Sequence, residues 1–377
     1  MKLYIKILLT FSFVHLSLSY GSDTIEPLFG SEFTFTNEEV IADGKKQGDY
    51  KVSSPSNKKV LKEWMEIIKV NCPECTITEK KDKFRLTTYH IQHPSDWWFQ
   101  ISLDPWVVET QMKPMTIEET EKNQILIQSL LFDTAKKAGV TPHERIGGGH
   151  IHIDYEKSFY KNPQLFRNFI VDFQNHPYVA LGAIGDMPDN APPLAVLSQT
   201  QKRNFKEVIE EFDQSNGSMS IEDLTNNLFS FVYNRNLMNW RPFSKYQAIN
   251  LDRIHKKELD LKDKTVEIRS LRPQKSVAHY IKILKLMRGK LNHLNTLSNY
   301  KIPYKKQDIK IDLYNLRTKQ DSQTIVDDFY DYVTSSNLGW DEYVELLPVN
   351  LRDMTPTALK DINCNEEPSN SLLKEVI

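Results

Sequence analysis

The residues best placed to do chemistry lie in Gly147–Asp154, which reads G-G-G-H-I-H-I-D. In an extended strand successive side chains point to opposite faces, so His150, His152 and Asp154 share one face and Ile151 and Ile153 the other. One face can enter a hydrophobic core while the other presents two imidazoles and a carboxylate in a row. The glycines before them carry no Cβ, so the backbone there can take positive φ or let a ligand come close. A single strand histidine is usually structural, and a triple glycine can be a tight turn. Two histidines and an aspartate on one face, entered through three glycines, point instead to a metal or phosphate role.

The same alternation recurs elsewhere. Leu28 to Phe35 sets Phe33 and Phe35 on one face and Glu32 and Thr34 on the other. Glu109 falls between Val108 and Thr110 in a strand-like run, where a carboxylate must find a cation, a metal or water. In T-V-E-I-R-S-L, from Thr265, Glu267 and Arg269 alternate with Val266 and Ile268, and Arg241 opens the segment leading there. That face could be a surface ion pair, but it repeats the earlier pattern and is read as functional. Glu32, Glu109, His150, His152 and Glu267 are thus candidate metal ligands, with Arg241 and Arg269 as cations. Carboxylate oxygens with imidazole suit Mg2+ or Mn2+ better than a thiolate-selected metal. Facing acidic groups repel unless cations screen them, and arginine forks can hold phosphate or carboxylate oxygens.

The elements that must position these groups are legible from periodicity. Val60, Leu61, Trp64, Ile67 and Ile68 follow helical spacing. Phe84 to Met115 alternates and is rich in Thr, Tyr, Trp and Val, which predicts consecutive antiparallel strands with a turn at Asp104-Pro105. Thr116 and Glu119 form a capping box for a helix carrying Ile125, Leu126, Leu130 and Leu131 and stopping at Gly139. Residues 163–233 read as largely helical, with a proline-rich break at 187–193. Val277 to Leu291 is an apolar helix, helices follow near 324–333 and 340–347, and the polar tail from Thr355 is expected to be loose. This order predicts an α+β fold, a mainly antiparallel β-sheet with helices packed on one face.

The chain has 377 residues, 40% hydrophobic and 26% charged, which excludes disordered and collagen-like classes. A net charge of -2 with mixed signs gives no argument for nucleic acid or an anionic membrane. Lys2 and Lys6 precede an apolar run from Ile7 to Leu18, and Ser17, Ser19 and Gly21 offer cleavage points. Residues 1–21 therefore read as a signal peptide. The run is short for a span, so an exported protein, periplasmic or secreted, without stable membrane insertion is expected. Of the 3 cysteines, Cys72 and Cys75 could close a small loop disulfide, and Cys364 is left over. C-x-x-C without a second pair is a poor zinc signal. Asn216-Gly217-Ser218 is a glycosylation sequon by letter.

The order G-S-E-F-T-F, V-V-E-T-Q-M-K-P-M, G-G-G-H-I-H-I-D, Y-Q-A-I-N-L and T-V-E-I-R-S-L resembles the amidoligase family of the carboxylate-amine ligase superfamily. Glutamine synthetase and glutamate-cysteine ligase share that catalytic fold. The resemblance runs from about Phe29 to Leu291 and implies a glutamine synthetase-like curved sheet whose concave face binds ATP and divalent metal, within a catalytic domain at 22–354 followed by a tail at 355–377. It implies that Glu32, Glu109, His150 and Glu267 ligate Mg2+ or Mn2+, and that His152, with Gly148 and Gly149, meets metal or nucleotide phosphate. Arg269 would stabilise the transferred phosphoryl group, and Arg241 would bind phosphate or the substrate carboxylate. A small-molecule or peptide carboxylate and an amine are the implied partners, joined through an acyl phosphate. The first strand departs from the family pattern: Thr34 stands where a second acidic residue is often found, so one metal site is expected to be weaker or missing.

Two other classes stay open at this point. H-x-H on a strand also serves hydrolases that activate water on zinc, although His90, His93, His143 and His176 stand beside or near prolines. The other is an exported nucleotide- or ligand-binding protein that keeps the sheet without turnover.

Overall fold

Strand alternation becomes a single sheet. The computed structural model describes residues 24–47, 54–81, 87–104, 106–143, 146–185, 191–233, 246–297, 299–309 and 322–364. Segment 1–21, expected to be a signal peptide, and Arg241 lie outside them. The strands are β1 (Phe29–Phe35), β2 (Thr76–Lys81), β3 (Thr87–Gln92), β4 (Trp98–Asp104), β5 (Val107–Met115), β6 (His150–Asp154), β7 (Ile249–Asn250) and β8 (Thr265–Ile268). Among the described residues they form one eight-stranded sheet in the order β2-β3-β4-β5-β1-β6-β8-β7. Every neighbouring pair is antiparallel, which gives the α+β class.

One face is apolar throughout its centre. Phe29, Phe33, Phe35, Val108, Met112, Ile151, Ile153, Val266 and Ile268 are all buried there. Helices cover them with aromatic edges: Phe33 lies 5.2 Å from Phe132 and 5.1 Å from Tyr280, and Phe35 lies 5.2 Å from Trp64, all edge-on. Trp64 belongs to the helix Pro55–Asn71, capped by the Ser54 hydroxyl, and Tyr280 to the helix Val277–Thr296. The latter is held from its other side by the helices Pro163–Asn175 and Ser322–Thr334, since Lys290 meets Asp172 at 2.9 Å and the Tyr332 carbonyl at 3.0 Å. The opposite sheet face is polar, and β1, β5, β6 and β8 turn their charged residues onto it.

Several expectations need correction. The Thr116–Glu119 capping box forms, but the helix it starts is not continuous: Ile117–Lys122 and Gln124–Ile127 lead into a π-helical turn at Gln128–Asp133. That local change of winding moves the apolar stripe, and Ile125 is 86% exposed rather than packed. β2 has no counterpart in the sequence reading because T-I-T-E-K-K is a polar, mostly exposed edge strand without a hydrophobic run. The stretch from Thr355 begins with a helix, Thr357–Cys364, whose first backbone N–H donates to Asp327 at 2.8 Å. Cys72 and Cys75 are joined as a disulfide. Among the described residues no helix is long and apolar enough to cross a membrane.

Candidate metal centre

Sheet register brings the predicted residues together. Glu32 pairs with His150 across β1–β6, and His152 pairs with Glu267 across β6–β8. All four side chains leave the same polar face, because their neighbours in sequence fill the core. Gly30 stands opposite His152, and a Cβ there would meet the His152 Cβ at 3.3 Å, so its absence leaves room for the imidazole.

Glu32 is the hub. Its Oε2 lies 2.7 Å from His150 Nδ1 and its Oε1 lies 3.0 Å from His152 Nε2. His150 Nδ1 is also 3.3 Å from Glu267 Oε1, so one imidazole nitrogen bridges two carboxylates. Glu267 is buried, accepting from Arg269 Nη1 at 2.7 Å and from Asn250 Nδ2 at 2.6 Å. His152 Nδ1 sits 3.0 Å from the Thr265 hydroxyl, which fixes its ring. Ligand atoms of Glu32, His150 and Glu267 all lie within 4.8 Å of one another. Two carboxylates and an imidazole at that separation fit a hard or borderline divalent cation such as Mg2+ or Mn2+. Glu32, His150 and Glu267 would hold such a cation, whose charge would offset both acids.

The electrostatics divide the acidic residues. Burial opposes charge on Glu32, but hydrogen bonds and attraction from His150 and His152 outweigh it and hold the carboxyl far below the usual range. Burial pushes Glu109 up to about 8, reinforced by Glu32 and Asp104 and opposed by the Gln111 hydrogen bond and Arg269. Glu109 is not among the side chains whose ligand atoms converge there. It reaches the cluster through Gln111, whose amide donates to Glu109 Oε1 and Glu32 Oε1, each at 3.2 Å.

Thr34, opposite Glu109 on β1, donates its hydroxyl to the Gly148 carbonyl at 2.9 Å. It anchors the glycine segment and does not extend the acidic cluster. A Cβ on Gly147, at φ +85°, would sit 2.2 Å from that hydroxyl, one on Gly148 2.8 Å from His150 Nε2, and one on Gly149 2.0 Å from the Gln274 amide. Protein side chains thus fill the space beside all three glycines. Asp154, on the same strand face by alternation, is buried and caps the next helical turn by accepting from the Glu156 N–H at 3.0 Å.

Arg269 lies beside the cluster, 5.8 Å from the centre of the Tyr246 ring, and its buried Nε has no hydrogen-bond partner among the described residues. A buried guanidinium N–H without an acceptor fits a site that awaits an anionic oxygen. Sequence reasoning missed Asn250, Thr265 and Gln111. Gln111 was within reach, since it follows Glu109 by two residues in the same alternation, whereas Asn250 and Thr265 become partners only through sheet register. No protein-family model and no curated protein matches this chain.

Proposed function

We propose that this protein is an ATP- and Mg2+- or Mn2+-dependent carboxylate-amine ligase of the amidoligase kind, built on a glutamine synthetase-like catalytic sheet. The observation that carries this reading is the convergence of Glu32, His150 and Glu267 on the polar sheet face, beside Arg269, whose Nε has no hydrogen-bond partner among the described residues. Glu32, His150 and Glu267 would hold the cation, and Glu109 would join them once ionised. His152 is oriented by Thr265 toward the same place. The cation supplies positive charge for phosphate oxygens. Arg269, positioned by Glu267, presents its guanidinium to the transferred phosphoryl group, and Arg241 is assigned to phosphate or the substrate carboxylate. A carboxylate oxygen of a small-molecule or peptide substrate attacks the γ-phosphorus and the bond to the ADP oxygen breaks. The amine nitrogen then attacks the acyl carbon, phosphate leaves, and the nitrogen loses its proton. No protein nucleophile is required, which suits a site made of ligands and cations. Export is part of the proposal, and the Cys72–Cys75 disulfide fits an oxidising compartment.

Incubating the mature protein with ATP, Mg2+ or Mn2+ and pooled acids and amines is expected to release phosphate and yield a product with the mass of an acid plus an amine less water. Glu267→Gln and His150→Ala should each lower this turnover by at least about a hundredfold while circular dichroism stays unchanged. Wild-type turnover by both variants at saturating metal would overturn the ligand assignment. Metal-independent turnover would overturn the ligase reading.

A further inference from the structure

The two oxygens of Glu32 keep different company. Oε2 lies 2.7 Å from His150 Nδ1, the nitrogen that also meets Glu267. Oε1 is approached by two other nitrogens, His152 Nε2 at 3.0 Å and Gln111 Nε2 at 3.2 Å. A carboxylate oxygen only accepts, so each of these nitrogens must supply the hydrogen, and together they take both lone pairs of Oε1. The network thus assigns the His152 proton to Nε2 and leaves Nδ1 to the Thr265 hydroxyl at 3.0 Å, so both ring nitrogens are engaged. Gln111 Nε2 also donates to Glu109 Oε1 at 3.2 Å, so the two hydrogens of one amide join the two acids. Register produces this arrangement, because Gln111 stands directly opposite Glu32 and two residues from Glu109 on the same strand face. The strand neighbours of Glu109 are Thr34 and Ser102, both uncharged, and the Thr34 hydroxyl already donates to the Gly148 carbonyl. Asp104 acts on Glu109 through its charge, yet among the described residues Glu109 belongs to no group of three convergent ligand atoms.

We propose that Gln111 and His152 limit this centre to a single divalent cation, Gln111 filling with N–H donors the gap between Glu32 and Glu109 that a second cation would need. The inference rests on the reading of Glu32, His150 and Glu267 as cation ligands. In two-metal sites the ions lie about 3.5–4 Å apart, so a second ion must draw on an acid that already serves the first. Glu267 is poorly placed for that, since its Oε1 accepts from Arg269 and its Oε2 from Asn250. Glu32 is the remaining shared acid, and its Oε1 is saturated. Displacing the Gln111 amide breaks two hydrogen bonds to acidic oxygens, and the amide oxygen that would turn inward in its place brings no charge to a hard cation. Glu109, once ionised, therefore adds a ligand to the one cation and founds no site of its own. His152 is a positioning residue here, holding Glu32 so that Oε2 faces the cation. With one ion in the centre, the further positive charge offered to phosphate oxygens is that of Arg269.

The test counts Mn2+ on the full mature chain, without nucleotide or substrate, by elemental analysis after free ion is removed and by electron paramagnetic resonance. His150→Ala sets the background of ions bound elsewhere. Wild type should hold one Mn2+ per chain above that background, with the six-line signal of an isolated ion. Gln111→Glu exchanges the N–H donors for another carboxylate in nearly the same shape. It should raise the count to two and broaden or abolish the six-line signal as neighbouring ions couple. Gln111→Ala removes the donors without adding charge and should admit the second Mn2+ only at higher concentration, which keeps the test open if the added acid prevents folding. Circular dichroism establishes that each variant counted is folded. Two ions in wild type, or a single ion in the folded Gln111 variants, would overturn the inference and leave the cation reading standing. No ion above background in wild type would remove the cation reading itself.

Discussion

At the residue scale the centre turns on one imidazole nitrogen. His150 Nδ1 stands between Glu32 and Glu267, 2.7 Å from the first carboxylate and 3.3 Å from the second. Glu109 follows the opposite course, since burial and the Glu32 charge favour its neutral form and raise it to about 8. The folded protein therefore keeps a proton that the unfolded chain releases above the ordinary value of 4.5. This contribution to stability is complete below that ordinary value and is lost as pH rises through about 8. Glu109→Gln should accordingly show a smaller fall in Tm than wild type between about pH 6 and about pH 9, measured without added metal. An equal fall in both proteins would show that Glu109 is ionised across this range.

Elements matter here through what their backbones exclude. Gly147 has φ +85°, in the left-handed region, and the space where its Cβ would stand is filled by Thr34. Gly147→Ala combines a left-handed alanine, costing about 1–2 kcal/mol, with a clash against the hydroxyl that anchors Gly148. The variant should lose at least that much stability in urea denaturation and weaken metal binding, because the segment leads directly into His150. Gly139→Ala is the control: it too has positive φ, but nothing lies within 4 Å of its added Cβ, so it should carry the backbone cost alone and leave metal binding unchanged. The contrast separates glycines used for turning from glycines used for close approach.

At the scale of the whole molecule, helices seal the sheet's apolar face, opposite the one that carries Glu32, His150 and Glu267, and the outer helices hold that seal. Lys290 is buried between Asp172 and the Tyr332 ring, whose centre lies 4.1 Å from Nζ. Lys290→Ala removes the cation 2.9 Å from buried Asp172, leaving it, among the described residues, only His176 at 4.0 Å, and should cost about 3 kcal/mol, read from the urea midpoint. Much of this architecture was legible beforehand. Strand alternation is local, so E-F-T, E-T-Q, H-I-H and E-I-R each declared which side chains face away from the core, and the Thr116–Glu119 box announced its helix. Whether those four strands are neighbours is not local information. β1 could have paired anywhere in the sheet, and only its place between β5 and β6, with β8 beyond, sets Glu32 against His150 and Glu267 beside His152. Residue types and their two-fold period thus determined which faces carry charge. Tertiary register decided which charges meet, since hydrogen bonding between strands remote in sequence fixes distances that no single segment contains.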